Sequence, residues 1–171
     1  VGNVPVAIAS WRSGVGVANQ GDDTVRRINP TTGVVDPGKI QVGARPDGIA
    51  VGPSAVWVAN SGDGSVYRID PATSSVSSPI SVGAGPAGIA VTSSAVWVAN
   101  SLDLSVTKID PRTARVTDTI PVGDGPHAIV ADGDGVWVSD EFDATLDRID
   151  PRAGRVVRAV PVGSSPQGLA V

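Results

Sequence analysis

One histidine stands in the chain, and several carboxylates are predicted to lie near it. His127 is followed at a short distance by the run Ser139-Asp140-Glu141-Phe142-Asp143, which brings together three carboxylates and the only phenylalanine. Asp124 adds a fourth carboxylate just before His127. A histidine that faces carboxylates can act as an acid–base pair or share a divalent cation with them. We therefore take His127 and Asp140 as candidate catalytic residues, and Asp140 and Glu141 as candidate metal ligands.

A second polar group, Arg45 and Asp47, occupies the matching position two repeats earlier. If all these positions share one face, that face is the candidate ligand-binding surface. Its predicted members are Arg45, Asp47, Asp124, His127, Asp140, Glu141 and Phe142. The simpler alternative is a solvated polar rim that happens to carry one surface histidine.

Composition excludes several classes of protein. The 171 residues include 13 Lys or Arg and 17 Asp or Glu, a formal charge of −4, with no cysteine. A mildly acidic chain without a basic run is a poor nucleic-acid binder, and the lack of cysteine excludes disulfides and thiolate metal sites. No apolar run is long enough to span a membrane. The first residue is Val1, so we expect a chain that was processed or cut from a longer protein, with an extracytoplasmic or cell-surface location in a bacterium favoured.

A repeat of about 40 residues organises the whole chain. Trp57, Trp97 and Trp137 are separated by 40 residues each. Residues such as Pro30, Pro71, Pro111 and Pro151 recur with nearly the same period. Such a period indicates a repeat architecture. The predicted units are residues 1–41, 42–81, 82–121 and 122–161, and residues 162–171 are predicted to form the first strand of a fifth unit.

Each unit contains four short β-branched runs separated by turn residues. In the second unit the predicted strands are Gly48–Val51, Val56–Ala59, Val66–Ile69 and Val76–Ile80. Asx-Pro pairs and Gly-rich segments, including Asp132–Gly135, predict tight turns between them. Four antiparallel strands per 40 residues predict the blade of a β-propeller, and a parallel solenoid is the main rival. Recurring isoleucines on the first and third strands are expected to pack between adjacent blades, together with the tryptophans.

Two further patterns follow from the alignment of the units. Asn19, Asn60 and Asn100 end the second strand, and Asp23, Asp63, Asp103 and Asp143 recur in the next turn. Recurrence in every blade favours a role in turn structure over a unique site. Trp11 lies outside the tryptophan register because Gly16 holds that position, and we expect it to fill space at the open N-terminal edge.

The pattern VGxxPxGIAV–VWVAN–SVxxIDP–VxxxIPVG resembles the YVTN-type β-propeller repeat. It is also similar to NHL-like propellers and to the virginiamycin B lyase-like group. The resemblance implies a ring of six to eight blades and a ligand-binding face formed by the two–three turns and the four–one connections. The lyase-like group further implies magnesium, a His after the connecting proline and a Glu three residues after the blade tryptophan. Here His127 and Asp140 hold those positions, with Asp in place of Glu and without a second histidine.

Two functions from different classes remain open. The first is a non-catalytic module, part of a larger sensor or surface protein, that binds a protein, peptide or glycan ligand. The second is a magnesium-dependent lyase-like enzyme that uses His127 and Asp140. The near-equivalence of the blades favours the first, hence a protein that is not an enzyme and needs no cofactor. Four blades and one extra strand predict a partial ring, completed either by further blades of a longer protein or by a homodimer.

Overall fold

The computed structural model describes residues 1–132 and 135–170. Over these residues the chain forms sixteen β-strands in four separate four-stranded antiparallel sheets. Strand order within every sheet follows the chain, so each sheet is one blade of a β-propeller and the predicted all-β fold class is confirmed. In the same part of the chain, no helix has the length and apolar character needed to cross a membrane.

The blades have the following strands. The first blade contains β1 (Pro5–Trp11), β2 (Gly14–Asn19), β3 (Thr24–Ile28) and β4 (Ile40–Gln41). The second contains β5 (Pro46–Val51), β6 (Val56–Asn60), β7 (Ser65–Ile69) and β8 (Ile80–Ser81). The third contains β9 (Pro86–Val91), β10 (Val96–Asn100), β11 (Ser105–Asp110) and β12 (Arg115–Pro121). The fourth contains β13 (Pro126–Ala131), β14 (Val136–Asp140), β15 (Thr145–Asp150) and β16 (Arg155–Pro161).

The outermost strand of the second blade is shorter than the sequence predicts. In place of a continuous strand over Val76–Ile80, the structure has β8 and an isolated bridge between Ile69 and Val76. The Ser77 hydroxyl accepts a hydrogen bond from the Arg68 N–H at 3.1 Å, and Pro79 has no N–H to donate. A proline and a competing side chain interrupt the ladder at an edge strand, where such breaks are tolerated.

Three apolar clusters hold the blades together, one at each junction between neighbouring blades. Trp57 packs between the second and third blades and Trp97 between the third and fourth, each 1% exposed. Isoleucines from first and third strands complete these clusters, which confirms the predicted interblade role of Ile49, Ile69, Ile109, Ile129 and Ile149. Burial of these large side chains is the main source of stability in an array whose units contact only their neighbours.

Trp11 fills a different space from the one predicted. A Cβ atom on Gly14 or Gly16 would lie 2.6 Å or 3.0 Å from the Trp11 ring, so the ring covers both glycines. It packs against the cluster between the first and second blades, where Ile49 also lies. In the first junction Trp11 of β1 therefore supplies the aromatic ring that Trp57 of β6 and Trp97 of β10 supply in the other two junctions. The prediction that Trp11 fills space at the open N-terminal edge is wrong.

The predicted Asx-Pro turns are confirmed. One carboxylate oxygen of Asp70 accepts hydrogen bonds from the N–H groups of Ala72 and Thr73, at 2.8 and 3.0 Å. Asn29, Asp110 and Asp150 make the same kind of contact in the other blades. The backbone N–H groups of Thr73 and Ala72 hold the pKa of Asp70 below its usual range.

Two predictions fall partly outside the described residues. Gly133 and Asp134 of the hairpin predicted at Asp132–Gly135 are not described, although the Asp132 N–H donates to the Gly135 carbonyl at 3.1 Å. In the predicted fifth first strand, Val171 is likewise outside. Residues 166–170 form no strand, because this sequence holds no second strand of a fifth blade to pair with them.

Candidate functional site

A β-bulge opens the first strand of every blade, directly after its proline. The pairing with the second strand shifts register between Pro5 and Ala7, between Pro46 and Gly48, and at the matching points of β9 and β13. A bulge changes the direction of the side chain that it carries. The bulged positions are Val6, Asp47, Ala87 and His127, and all four line one cleft between the first strands.

Close approach of neighbouring first strands narrows this cleft. A Cβ atom on Gly48 would lie 2.3 Å from the carbonyl oxygen of Ala87, and one on Gly88 would lie 2.3 Å from that of His127. No real side chain fits at such a distance, so glycine is required for the strands to approach this far. The same approach brings the bulged residues of the second, third and fourth blades close together.

The cleft has a volume of about 430 Å³ and is open to solvent at its mouth. Its lining includes the apolar side chains of Ile49, Ile89 and Ile129 and the polar side chains of Asp47, His127 and Gln167. Gln167 comes from the segment after the fourth blade, at the position that corresponds to His127. A concave cleft that combines apolar side chains with a few converging polar groups has the general character of a ligand site.

Asp47 and His127 line the same cleft on either side of the third blade. The bulge between them carries Ala87, whose side chain is only a methyl group. Burial raises the pKa of the half-buried Asp47 carboxyl, and the charges of His127 and then Arg45 act in the opposite direction. The structure therefore brings together a carboxylate and an imidazole that are 80 positions apart in the sequence.

The remaining predicted rim residues surround this pair with different degrees of exposure. Arg45 and Asp124 are exposed, and their N–H groups donate to Asp23 and Asp143 at 2.8 Å each. The Glu141 carboxylate accepts a hydrogen bond from Gln167 Nε2 at 3.0 Å, and Phe142 is 73% exposed.

Asp140, in contrast, lies in the interior of the fourth blade. It is 0% exposed, its Oδ2 accepts a weak 3.4 Å hydrogen bond from the Thr145 hydroxyl, and its Oδ1 has no partner. Burial, with the nearby carboxylates of Asp147 and Asp143, raises the pKa of Asp140 to about 7. The expectation that Asp140 belongs to the exposed ligand-binding face is corrected by this burial.

The position of Asp140 explains its environment. Asn19, Asn60 and Asn100 hold the same place in the other blades, also at 0% exposure, and use their amide groups as donors. Asn100 Nδ2, for example, donates to the Thr107 hydroxyl at 2.8 Å. In the fourth blade that pair becomes Asp140 and Asp147. Sequence reasoning missed Asp147, although its alignment with Thr107 was a signal that two carboxylates replace an amide and a hydroxyl.

These residues do not fit the magnesium site that the lyase-like resemblance implies. Asp140 is enclosed, and burial together with the nearby Asp147 carboxylate favours its protonated form. Glu141 lies at the surface, where its carboxylate accepts a hydrogen bond from Gln167. A protonated carboxyl is a poor ligand for Mg²⁺, which prefers charged oxygen ligands and bound water. Over residues 1–132 and 135–170, no three His, Cys, Asp or Glu side chains converge as a metal site.

The recurring turn aspartates have the structural role that their recurrence predicts. Asp63, Asp103 and Asp143 each accept a backbone N–H from the connection that precedes their own blade, at 2.7–2.9 Å. In the first blade the residue that does so is Asp22, by way of the Asn3 N–H at 2.8 Å. Asp23, assigned to this series from the sequence, lies one position later and accepts from Arg45 instead.

Comparison with known proteins places this geometry in context. Hydrazine synthase from Kuenenia stuttgartiensis is similar over 92% of this chain and 49% of its own, with 25% identity and a TM-score of 0.85. A catalytically inactive virginiamycin B lyase from Staphylococcus aureus, solved with quinupristin, is similar over 97% of this chain and 59% of its own, at 18% identity and a TM-score of 0.82. The computationally designed protein Ika8 is similar over 95% of this chain and 51% of its own, at 14% identity and a TM-score of 0.78.

The chain spans about half the length of these structures. The two with less than 25% identity show the fold alone. No curated protein matches the sequence. A family model described as the YNCE-like beta-propeller matches residues 77–171, more than half of the chain. The repeated blades and this match agree, and the chain belongs to the YNCE-like beta-propeller family.

Proposed function

We propose that this chain is a non-catalytic binding module of a β-propeller, and that its ligand enters the cleft between the first strands. The observation that carries the proposal is that Asp47 and His127 line one cleft on either side of Ala87, where the charge of His127 acts on the Asp47 carboxyl. Their side chains offer a carboxylate acceptor and an imidazole in a cleft that is also lined by isoleucines. Those groups suit hydrogen-bond donors of a protein, peptide or glycan ligand.

The differences between blades support recognition at this place. The bulged position is apolar in the first and third blades, where it holds Val6 and Ala87, and polar in the second and fourth. The architecture therefore does not need a polar side chain there. Asp47 also loses solvation through its burial, a cost that a hydrogen-bonding ligand would offset.

The lyase-like alternative receives less support from the same residues. General acid–base work by His127 and Asp140 requires both side chains to reach one substrate. Asp140 is fully buried, whereas His127 is exposed in the cleft. The acidic residue that shares the cleft of His127 is Asp47, and the proposal therefore excludes a step through Asp140.

The test uses peptide and glycan arrays probed with the purified chain. The double variant Asp47→Ala/His127→Ala introduces the residue that the third blade already carries, so the fold should tolerate it. Asp118→Ala removes a carboxylate from the outer strand β12 and is the matched control. We expect ligands whose affinity falls about tenfold or more in the double variant and is unchanged in the control. Absence of any ligand, or equal binding by the double variant, would overturn the proposal.

A further inference from the structure

Large apolar side chains are exposed on the turns between the second and third strands of the last two blades. Leu102 and Phe142 are 75% and 73% exposed, and Leu104 is 45% exposed. We call these three residues the apolar rim. The turns of the first two blades carry Gly21 and Gly62 at the positions of Leu102 and Phe142, so the turn itself does not require an apolar side chain.

Leu102 and Leu104 share the turn of the third blade, and backbone hydrogen bonds tie Leu104 and Phe142 to one connection. The Leu104 carbonyl accepts from the Val122 N–H at 3.0 Å, and the Asp124 carbonyl accepts from the Phe142 N–H at 3.1 Å. The connection over residues 122–125 therefore bridges the turn of the third blade and the turn of the fourth. The Phe142 ring lies over Gly125 on this connection, where a Cβ would be 2.7 Å from the ring.

Leu104 is kept in an unfavourable backbone conformation. Its φ is +52°, and the corresponding residues Asp23, Gly64 and Ala144 also have φ between +56° and +65°. The turn thus requires the left-handed region, which glycine adopts freely and leucine does not. The conformation recurs in all four blades and belongs to the turn, so the turn itself does not require leucine at this position.

The charge around the apolar rim has a single sign. Four carboxylates accompany it, namely Asp103, Asp124, Glu141 and Asp143, and residues 81–107 and 116–147 contain no Lys or Arg. The cationic residues of these blades lie in the third and fourth strands or in the turns between those strands, and Arg112 and Arg152 are the turn residues. Asp103 and Asp143 each use one oxygen to hold a backbone N–H, and their second oxygens remain for a partner.

We propose that the apolar rim docks a polypeptide segment that carries apolar side chains beside Lys or Arg side chains. Exposed apolar patches on soluble proteins mark interaction surfaces, and the acidic surroundings select a basic partner and reject an acidic one. The surface extends beyond the cleft residues of the proposed function and does not depend on Asp47 or His127. The two proposals can therefore fail separately.

The probe is a fluorescein-labelled synthetic peptide of alternating Lys and Leu, whose binding is followed by fluorescence anisotropy. Peptides with Glu in place of Lys, or with Ser in place of Leu, are the matched probes. The triple variant Leu102→Gly/Leu104→Gly/Phe142→Gly introduces glycine, which the second blade carries at the corresponding positions. The control Val34→Ser removes an exposed apolar side chain of the first blade, far from the apolar rim in the sequence. Thermal unfolding confirms that each variant is folded, and Leu104→Gly should not lower the melting temperature.

We expect the triple variant to bind the Lys–Leu peptide about tenfold or more weakly, with Val34→Ser unchanged. Binding should weaken between about 50 and 300 mM salt, and both altered peptides should bind less well. Asp47→Ala/His127→Ala should bind this peptide as the unmodified chain does. Equal binding by the triple variant, equal binding of the Glu peptide, or no binding of the Lys–Leu peptide would overturn the proposal. Self-association that disappears in the triple variant would also overturn it, because the occupant would then be a second copy.

Discussion

Replacement of Asp140 by Asn should stabilise the protein, and the gain should depend on pH. Asp140 occupies a position that is Asn in the other three blades, and it is fully buried with one oxygen unpartnered. Ionisation there places a charge out of reach of solvent and near the carboxylate of Asp147. Asn keeps the shape, removes the charge and restores an amide donor, as Asn100 provides in the third blade.

The magnitude follows from the raised pKa. Because the pKa of Asp140 rises from 3.8 to about 7 on folding, the folded state prefers the protonated form. The destabilisation of the fold by the ionised Asp140 carboxylate is absent below about pH 4. It grows by at most about 1.4 kcal/mol per pH unit as pH rises, and it levels off above about pH 7. The full shift corresponds to about 4 kcal/mol. Relaxation of the surroundings reduces this, and we expect Asp140→Asn to gain about 2–4 kcal/mol at pH 8 and almost nothing at pH 4.

Urea unfolding followed by tryptophan fluorescence, at several pH values between about 4 and 8.5, measures this difference. Asn100→Asp is the converse variant and should lose stability mainly at the alkaline end. Asp150→Asn is the matched control, because backbone N–H groups lower the pKa of Asp150 and its carboxylate is stabilising at neutral pH. A difference between Asp140→Asn and the unmodified chain that stays constant from pH 4 to pH 8 would refute the reasoning.

Two pairs of substitutions test the packing of the blades, each with its own comparison variant. Trp97→Ala should lower the free energy of unfolding by about 3–5 kcal/mol, because Trp97 is buried between two blades. Trp137→Ala should lower it by only about 1–2 kcal/mol, because Trp137 is partly exposed. Urea unfolding measures both differences. Similar costs for both would contradict the assigned junctions. Gly88→Ala should cost about 1–3 kcal/mol and weaken cleft ligands, because its Cβ would lie 2.3 Å from a backbone oxygen. Gly168→Ala, whose Cβ meets nothing within 4 Å, should leave stability unchanged.

Much of the fold was predictable because its determinants are local. Alternating β-branched residues, Asx-Pro turns and a 40-residue period specify short strands and their order within each blade. Asp70, for example, binds N–H groups only two and three residues away, so the sequence alone identifies that turn. The strand predicted over Val76–Ile80 is interrupted, because the Ser77 hydroxyl takes the Arg68 N–H that a strand carbonyl would otherwise accept.

The composition of the site was less predictable, because its members come from different blades. The sequence singled out His127 and Asp47 but paired His127 with Asp140, which lies close in the chain. Alignment with Asn100 pointed to a buried position for Asp140, and the surface assignment overlooked that signal. The position of Trp11 was also hard to predict, because the ring packs between two blades only where Gly14 and Gly16 of the neighbouring strand leave room for it.

The sequence by itself determined the repeat, the antiparallel blades, their turns and the isoleucines that join them, since each depends on residues within one unit. Only the tertiary structure decided that Asp47 and His127 line one cleft on either side of Ala87, and that Asp140 is enclosed near Asp147. The physical reason is that bulges set the direction of the first pair, while Gly48 and Gly88 set how closely neighbouring strands approach. Those quantities depend on how blades pack against one another, which a period in the sequence does not express.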